Sequence, residues 1–170
     1  KAKIVIISHL GRPGGKIVSK LTLEPIAKKL SNYLSQNVAF LDENVGNNVI
    51  EKSKEISNGS VLLLENLRFS KEEELNSETF AKELSKNGDI YINEAFSCSH
   101  RAHASVYEIT KHIDSYAGNM LFEEVNFIKM LTSSAKKPVT CIIGGSKIST
   151  KIGVLSSLVK KMENIVIVGA

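Results

Sequence analysis

Four short, unbroken apolar stretches punctuate the chain: residues 4–7 (Ile-Val-Ile-Ile), 38–41 (Val-Ala-Phe-Leu), 61–64 (Val-Leu-Leu-Leu) and 165–168 (Ile-Val-Ile-Val). Each is predicted to be a strand, and the first, β-branched and without polar alternation, has the pattern of a strand buried on both faces, as parallel sheets require. Residues 89–93 and 139–143 bring the predicted strands to six. Between them the apolar spacing turns helical. Leu23, Ile26, Ala27, Leu30 and Leu34 share one face of a helix predicted from a Thr22 N-cap to about residue 35, with Pro25 in its first turn. A weaker helix is predicted over 49–56, stopped by Asn58-Gly59, and Phe80, Ala81 and Leu84 mark another that ends at Lys86 before Asn87-Gly88. Lys71-Glu-Glu-Glu74 reads as the solvated start of that helix, its acids suited to the positive end of the dipole. Further helices are predicted over 103–112, over 119–132 with Leu121, Val125, Ile128 and Leu131 on one face, and after a Ser149 cap with Ile152, Leu155, Leu158, Val159 and Met162 lining it.

Strands alternating with helices predict an α/β fold: a doubly wound parallel sheet with helices on both faces, three-layered and Rossmann-like. With 170 residues the chain can build one good core, or one domain and part of another. At 42% hydrophobic and 24% charged residues it reads as a soluble globular protein. A net charge of +4 raises nucleic acid as a partner, but the lysines are scattered and there is no tryptophan, so neither a basic face nor a stacking platform is visible. No apolar run approaches the roughly 20 residues of a membrane span. Lys1-Ala-Lys3 leads straight into a strand without a signal-peptide core, and Cys98 and Cys141 form neither a CxxC motif nor a disulfide framework. The expected setting is a reducing cytoplasm, with no membrane and no nucleic acid.

The candidate chemistry sits just after the strands. Residues 4–7 run into Ser8-His-Leu-Gly-Arg12, residues 61–64 into Glu65-Asn-Leu-Arg68, and residues 90–92 into a loop carrying His100, Arg101 and His103. Ligands of open α/β sheets bind beyond the carboxyl ends of the strands, so Arg12, Arg68 and Arg101 should converge although they are far apart in sequence. Guanidinium forks and imidazoles favour an anion bearing carboxylate or phosphate, and Gly11 would allow close backbone approach. Three such groups, at about 1.5–3 kcal/mol each, amount to roughly 4.5–9 kcal/mol before ordering and desolvation costs, enough for a metabolite that must be released. His100 and His103 could instead ligate a metal, but no third ligand lies at a recognisable spacing. Cys98 could be a nucleophile with basic neighbours, but no acyl-transfer constellation accompanies it. Gly144-Gly-Ser-Lys147 lacks the Gly-Lys-Ser/Thr ending of a Walker A loop. It is still a glycine turn between a strand and a helix, with Lys147 and Lys151 one helical turn apart, and so a candidate phosphate cradle.

The segments SHLGRP (8–13), LLLENLRF (62–69), INEAFSCSHRAHAS (92–105) and IIGGSKISTKI (142–152), in this order, closely resemble phosphoglycerate kinases. The resemblance covers essentially all residues but only the middle of that family's chain, whose earlier strand and later magnesium ligand would lie outside this sequence. It implies an incomplete substrate-binding lobe over 1–118, a connector helix over 119–135 and the start of a nucleotide-binding lobe over 136–170. The implied reaction is reversible phosphoryl transfer between 1,3-bisphosphoglycerate and ADP, giving 3-phosphoglycerate and ATP with Mg2+. The alternative is an inactive lobe that only binds 3-phosphoglycerate or similar anions. Ser8, His9, Gly11, Arg12, Arg68, His100 and Arg101 would bind the substrate. Gly144, Gly145, Ser146, Lys147 and Lys151 would hold the nucleotide, and the two lysines would act on the transferring phosphoryl group. The expected partners are the phosphoglycerate and an adenine nucleotide, with the chain a monomer. Ser97 departs from the family's usual glycine. Arg68→Ala is expected to weaken phosphoglycerate binding about tenfold or more and leave the fold intact.

Overall fold

The computed structural model describes residues 1–134, 136–145 and 152–169. The elements run β1 (Ile4–Ile6), α1 (Glu24–Leu34), β2 (Val38–Leu41), α2 (Asn47–Glu55), β3 (Val61–Leu64), α3 (Lys71–Glu74), α4 (Glu78–Ser85), β4 (Tyr91–Asn93), β5 (Ser115–Ala117), α5 (Asn119–Ser133), β6 (Thr140–Gly144), α6 (Ile152–Leu158) and β7 (Asn164–Val168). The chain divides into two compact units, Lys1–Leu121 and Phe122–Ala170, and the division falls within α5. No described helix is long and apolar enough to cross a membrane.

In the first unit β3 is the central strand of the order β1-β3-β2, parallel to both neighbours. All four of its residues are buried because it is covered on both faces, and successive side chains divide between them. Val61 and Leu63 pack with Leu23 and Ala27, at the start of and within α1, whereas Leu62 and Leu64 pack with Val49 of α2. These are the helix, sheet and helix layers that the alternation of strands and helices predicts. A third cluster joins Phe80, Ala81 and Leu84 of α4 to Leu67, Ala104 and Ile109, with Ile7 and Tyr91 against it.

Several elements differ from the sequence expectation. β1 is not buried on both faces: it pairs with β3 alone, and Ile4 is exposed. The sheet of this unit is interrupted, since β4 pairs in parallel only with β5, a strand of three residues that the apolar pattern does not reveal. The N-cap position of α1 is Leu23, whose N–H donates to the Glu65 carboxylate, one residue later than expected; the Thr22 hydroxyl still accepts the Glu24 N–H at 3.3 Å. The helix predicted over 71–86 is broken into α3 and α4 at Asn76, where the backbone turns left-handed (φ 54°). Residues 103–112 give a tight turn and a short 3-10 segment, Glu108–Lys111, in place of a helix. Ser105 O accepts the Tyr91 hydroxyl, and the Ile109 N–H donates to Ala104 O, out of helical register.

In the second unit β6 and β7 are parallel, in register from Thr140–Asn164 to Gly144–Val168. None of its described residues is buried.

Candidate anion-binding site

The polar residues that follow β3 assemble the site. Asn66, wholly buried, donates from Nδ2 to Leu10 O and Leu21 O at 2.8 Å each and accepts the Arg68 N–H at 3.1 Å. Glu65 accepts from Leu23 N–H at 2.9 Å, Asn66 N–H at 2.7 Å and the Thr22 hydroxyl at 2.6 Å. Leu67 N–H donates to Ser8 O at 3.0 Å. The loop after β1 and the turn after β3 are thus stitched together, and Arg68 closes the junction by donating from Nη1 to Gly11 O at 2.9 Å. Only 5% of Arg68 is exposed. Its Nε lies 3.5 Å from Glu74 Oε1, a charge contact without hydrogen-bond geometry, and finds no hydrogen-bond acceptor among the described residues. A buried guanidinium N–H left in this state is costly and receptive to an anion.

Gly11 sits at φ +69°, a left-handed conformation that favours glycine, and a Cβ there would press on the tip of the Leu21 side chain, 2.9 Å from Cδ2. Gly15, at φ +72°, donates its N–H to Arg68 O at 3.1 Å and rests on Lys71, where a Cβ would come within 2.0 Å of Cγ and 3.0 Å of the backbone Cα.

His9 is half-buried on the first loop. Its pKa is lowered below 6.5 by burial first, then by the positive charges of Arg68, His103 and Arg101, with Glu74 opposing. Such influences require nearby groups. Arg68, His103 and Arg101 are thus the positive charges that bear on His9, which marks this locale as cationic. Ser8 contributes its carbonyl to the Leu67 N–H. Arg12 and His100 are exposed, and neither side chain forms a hydrogen bond or ion pair among the described residues, so the structure does not tie them to this locale. The imidazole that joins His9 is His103, which is buried.

The acidic run 71–74 also departs from the sequence reading. Glu73 is buried and accepts hydrogen bonds from Ser105, and Glu74 faces Arg68, so neither is merely part of a solvated helix start. The available signal was faint: position 73 is in helical phase with Phe80 and Leu84, but the chain turns at Asn76 between them. Asn66 and Glu65 carried a better one, as polar residues directly after a wholly apolar strand.

Less of the second candidate site can be placed. Gly144 ends β6 opposite Val168, and a Cβ on it would meet Val168 Cγ2 at 3.1 Å and O at 3.2 Å, so the adjacent strand accounts for this glycine. Gly145 has φ +132°. Ser146, Lys147, Ser149 and Lys151 lie outside the described residues. Neither glycine supplies a side-chain ligand. No cluster of three or more His, Cys, Asp or Glu residues suited to a metal occurs among the described residues.

The sequence model of the family described as phosphoglycerate kinase matches residues 1–170. The chain belongs to the phosphoglycerate kinase family. Phosphoglycerate kinase of Bartonella bacilliformis is 48% identical over 168 residues, 99% of this chain and 42% of that protein. That of Wolbachia pipientis is 47% identical over 169 residues, again 99% and 42%. The chain thus spans about 42% of the length of these relatives. Among solved structures, phosphoglycerate kinase from Coxiella burnetii superposes with a TM-score of 0.82 at 33% identity, covering 98% of this chain and 42% of that one. The enzyme from Pyrococcus horikoshii OT3 gives 0.88 at 30% identity, with 99% and 43% covered. Family membership and the α/β architecture read from the sequence agree with these matches.

Proposed function

We propose that this chain is the phosphoglycerate-binding part, with the start of the nucleotide-binding part, of a phosphoglycerate kinase that moves a phosphoryl group reversibly between 1,3-bisphosphoglycerate and ADP. Residues 1–118 form the substrate lobe, 119–135 the connector and 136–170 the opening of the nucleotide lobe. His9, Arg68 and Arg101 bind the anionic groups of 3-phosphoglycerate, with Ser8, Gly11, Arg12 and His100 on the surrounding loops. Residues 144–151 hold the phosphates of ATP or ADP, Lys147 and Lys151 supplying charge. Mg2+ reaches the site with the nucleotide, and its protein ligand is not among these residues. Phosphoryl transfer asks little covalent work of a protein: fixed cations orient the reactants and offset charge on the equatorial oxygens.

The observation that carries this reading is the buried, underused guanidinium of Arg68 beside His9, whose pKa registers Arg68, His103 and Arg101 together. Because Arg68 also holds Gly11 O, Arg68→Ala would loosen the turn as well as the ligand, contrary to the fold-neutral expectation. Half-buried Arg101 is the cleaner probe. Titration calorimetry with 3-phosphoglycerate should show Arg101→Ala weakening affinity about tenfold or more, the loss of one charge-assisted contact, with an unchanged circular dichroism spectrum. Unaltered affinity, or no binding by the parent chain, would refute the reading.

A further inference from the structure

The two cations that must cooperate, Arg68 and Arg101, follow strands that are not joined by a ladder: β3 lies in the three-stranded sheet, β4 in the two-stranded one. Backbone pairing therefore does not fix the distance between them, and another link must. We propose that the buried carboxylate of Glu73 is that link, a positioning residue that holds residues 101–105 against the Arg68 turn and so sets the spacing of the anion site. This rests on the reading that the site binds 3-phosphoglycerate.

Glu73 belongs to α3, which starts three residues after Arg68. Although carboxylates are seldom buried, this one is 3% exposed, and all of its bonding is directed at the second loop. Oε1 accepts the Ser105 hydroxyl at 2.6 Å and Oε2 the Ser105 N–H at 3.0 Å. Its backbone oxygen accepts the Ala104 N–H at 2.9 Å, and His103 Nδ1 stands 3.7 Å from Oε1. Three consecutive residues are thus gripped by one. Tyr91, in β4, completes the anchorage by donating its hydroxyl to Ser105 O at 2.7 Å.

The loop is consequently divided. Residues 103–105 are buried and fully engaged, whereas Arg101 is half-exposed and His100 exposed, neither side chain bonded among the described residues. A fixed base with an open cationic head suits a site that must present charge to a ligand at defined spacing. Burying a carboxylate is tolerable only when its oxygens are satisfied, as both are here. Its neighbour Glu74 faces the other way, toward Arg68 Nε, so two of the three acids of α3 reach both halves of the site.

The test uses Glu73→Gln, an isostere that keeps one acceptor but places an amide donor against a Ser105 donor, and Ser105→Ala as a milder cut of the same link. Two readouts separate positioning from general stabilisation. The first, by NMR, is the His9 imidazole titration, which requires no ligand. The charged groups acting on His9 are Arg68, His103, Arg101 and Glu74. Deleting a nearby negative charge would by itself lower the His9 pKa further; withdrawal of His103 and Arg101 from His9 would raise it. In folded Glu73→Gln the His9 pKa should rise, and Ser105→Ala should move it the same way by less. The second readout is calorimetric affinity for 3-phosphoglycerate, expected to fall about tenfold in Glu73→Gln, with the double variant little worse than Glu73→Gln because both cut one link. An unchanged or lowered His9 pKa in the folded variants overturns the proposal. If the parent chain does not bind 3-phosphoglycerate, the functional reading fails, and the His9 titration still decides whether Glu73 sets the geometry.

Discussion

Asn66→Ala should be among the most damaging single changes in the first unit, although Asn66 touches no proposed ligand. The side chain is wholly buried and makes three hydrogen bonds, donating to Leu10 O and Leu21 O and accepting from Arg68 N–H. Alanine leaves all three backbone groups without that partner in a site with no room for a replacement side chain. At a net value of about 0.5–1.5 kcal/mol per bond the loss is roughly 1.5–4.5 kcal/mol, and we expect about 3 kcal/mol. With a urea dependence of about 1.5 kcal/mol per molar, the unfolding midpoint should fall by about 2 M. Tyrosine fluorescence is the appropriate probe: the chain has no tryptophan, and all four tyrosines lie within Lys1–Leu121, so the signal reports this unit alone. Asn66→Asp is the control. It keeps the acceptor for Arg68 N–H but faces two carbonyl oxygens with a carboxylate, and should be no more stable than alanine. A loss under about 1 kcal/mol for Asn66→Ala, or parent-like stability of Asn66→Asp, would refute the view that this amide binds the two loops together.

Other consequences follow from the same geometry. Free His9 should titrate below 6.5, and Arg68→Ala should shift its NMR titration upward by removing a positive field; no upward shift would separate the two residues. Because a lowered pKa means that the unfolded chain binds more protons between the folded value and 6.5, His9 should reduce stability as pH falls through that window, and His9→Asn should flatten the slope. Glu74→Gln removes the counter-charge 3.5 Å from Arg68 Nε, so 3-phosphoglycerate should bind more tightly in calorimetry, by a few-fold because the Glu74 carboxylate is exposed to water although Arg68 is buried; weaker binding would place Glu74 among the supports of the site. Tyr91, its pKa pushed up to about 12 chiefly by burial, should remain a phenol at pH 10.5 in ultraviolet difference titration. Its contribution to stability is present below pH 10 and is lost as pH climbs toward 12, and Tyr91→Phe should remove that alkaline loss.

The sequence by itself determined the layered α/β fold, because short apolar strands alternating with amphipathic helices can bury their apolar surfaces by stacking helices on a parallel sheet, as around Val61–Leu64. It also offered Arg12, Arg68 and Arg101 as candidates for one site, since residues just beyond strand ends in such folds gather at one rim. Tertiary structure alone decided how those cations are held. Glu73 reads as a surface acid until residues 103–105 arrive, 30 positions later, to bury and satisfy it. The expected 103–112 helix gives way to a turn where the Ser105 carbonyl accepts the Tyr91 hydroxyl and the Ile109 N–H goes to Ala104 O instead; the Ala104 and Ser105 N–H groups, which a first helical turn would leave free, go to Glu73. The interruption of the sheet is likewise invisible to periodicity, which describes each strand but not its partners, and β5 is too short to register at all. Local pattern specifies which face of an element is apolar; hydrogen-bond partners remote in sequence are chosen only when the chain folds back on itself.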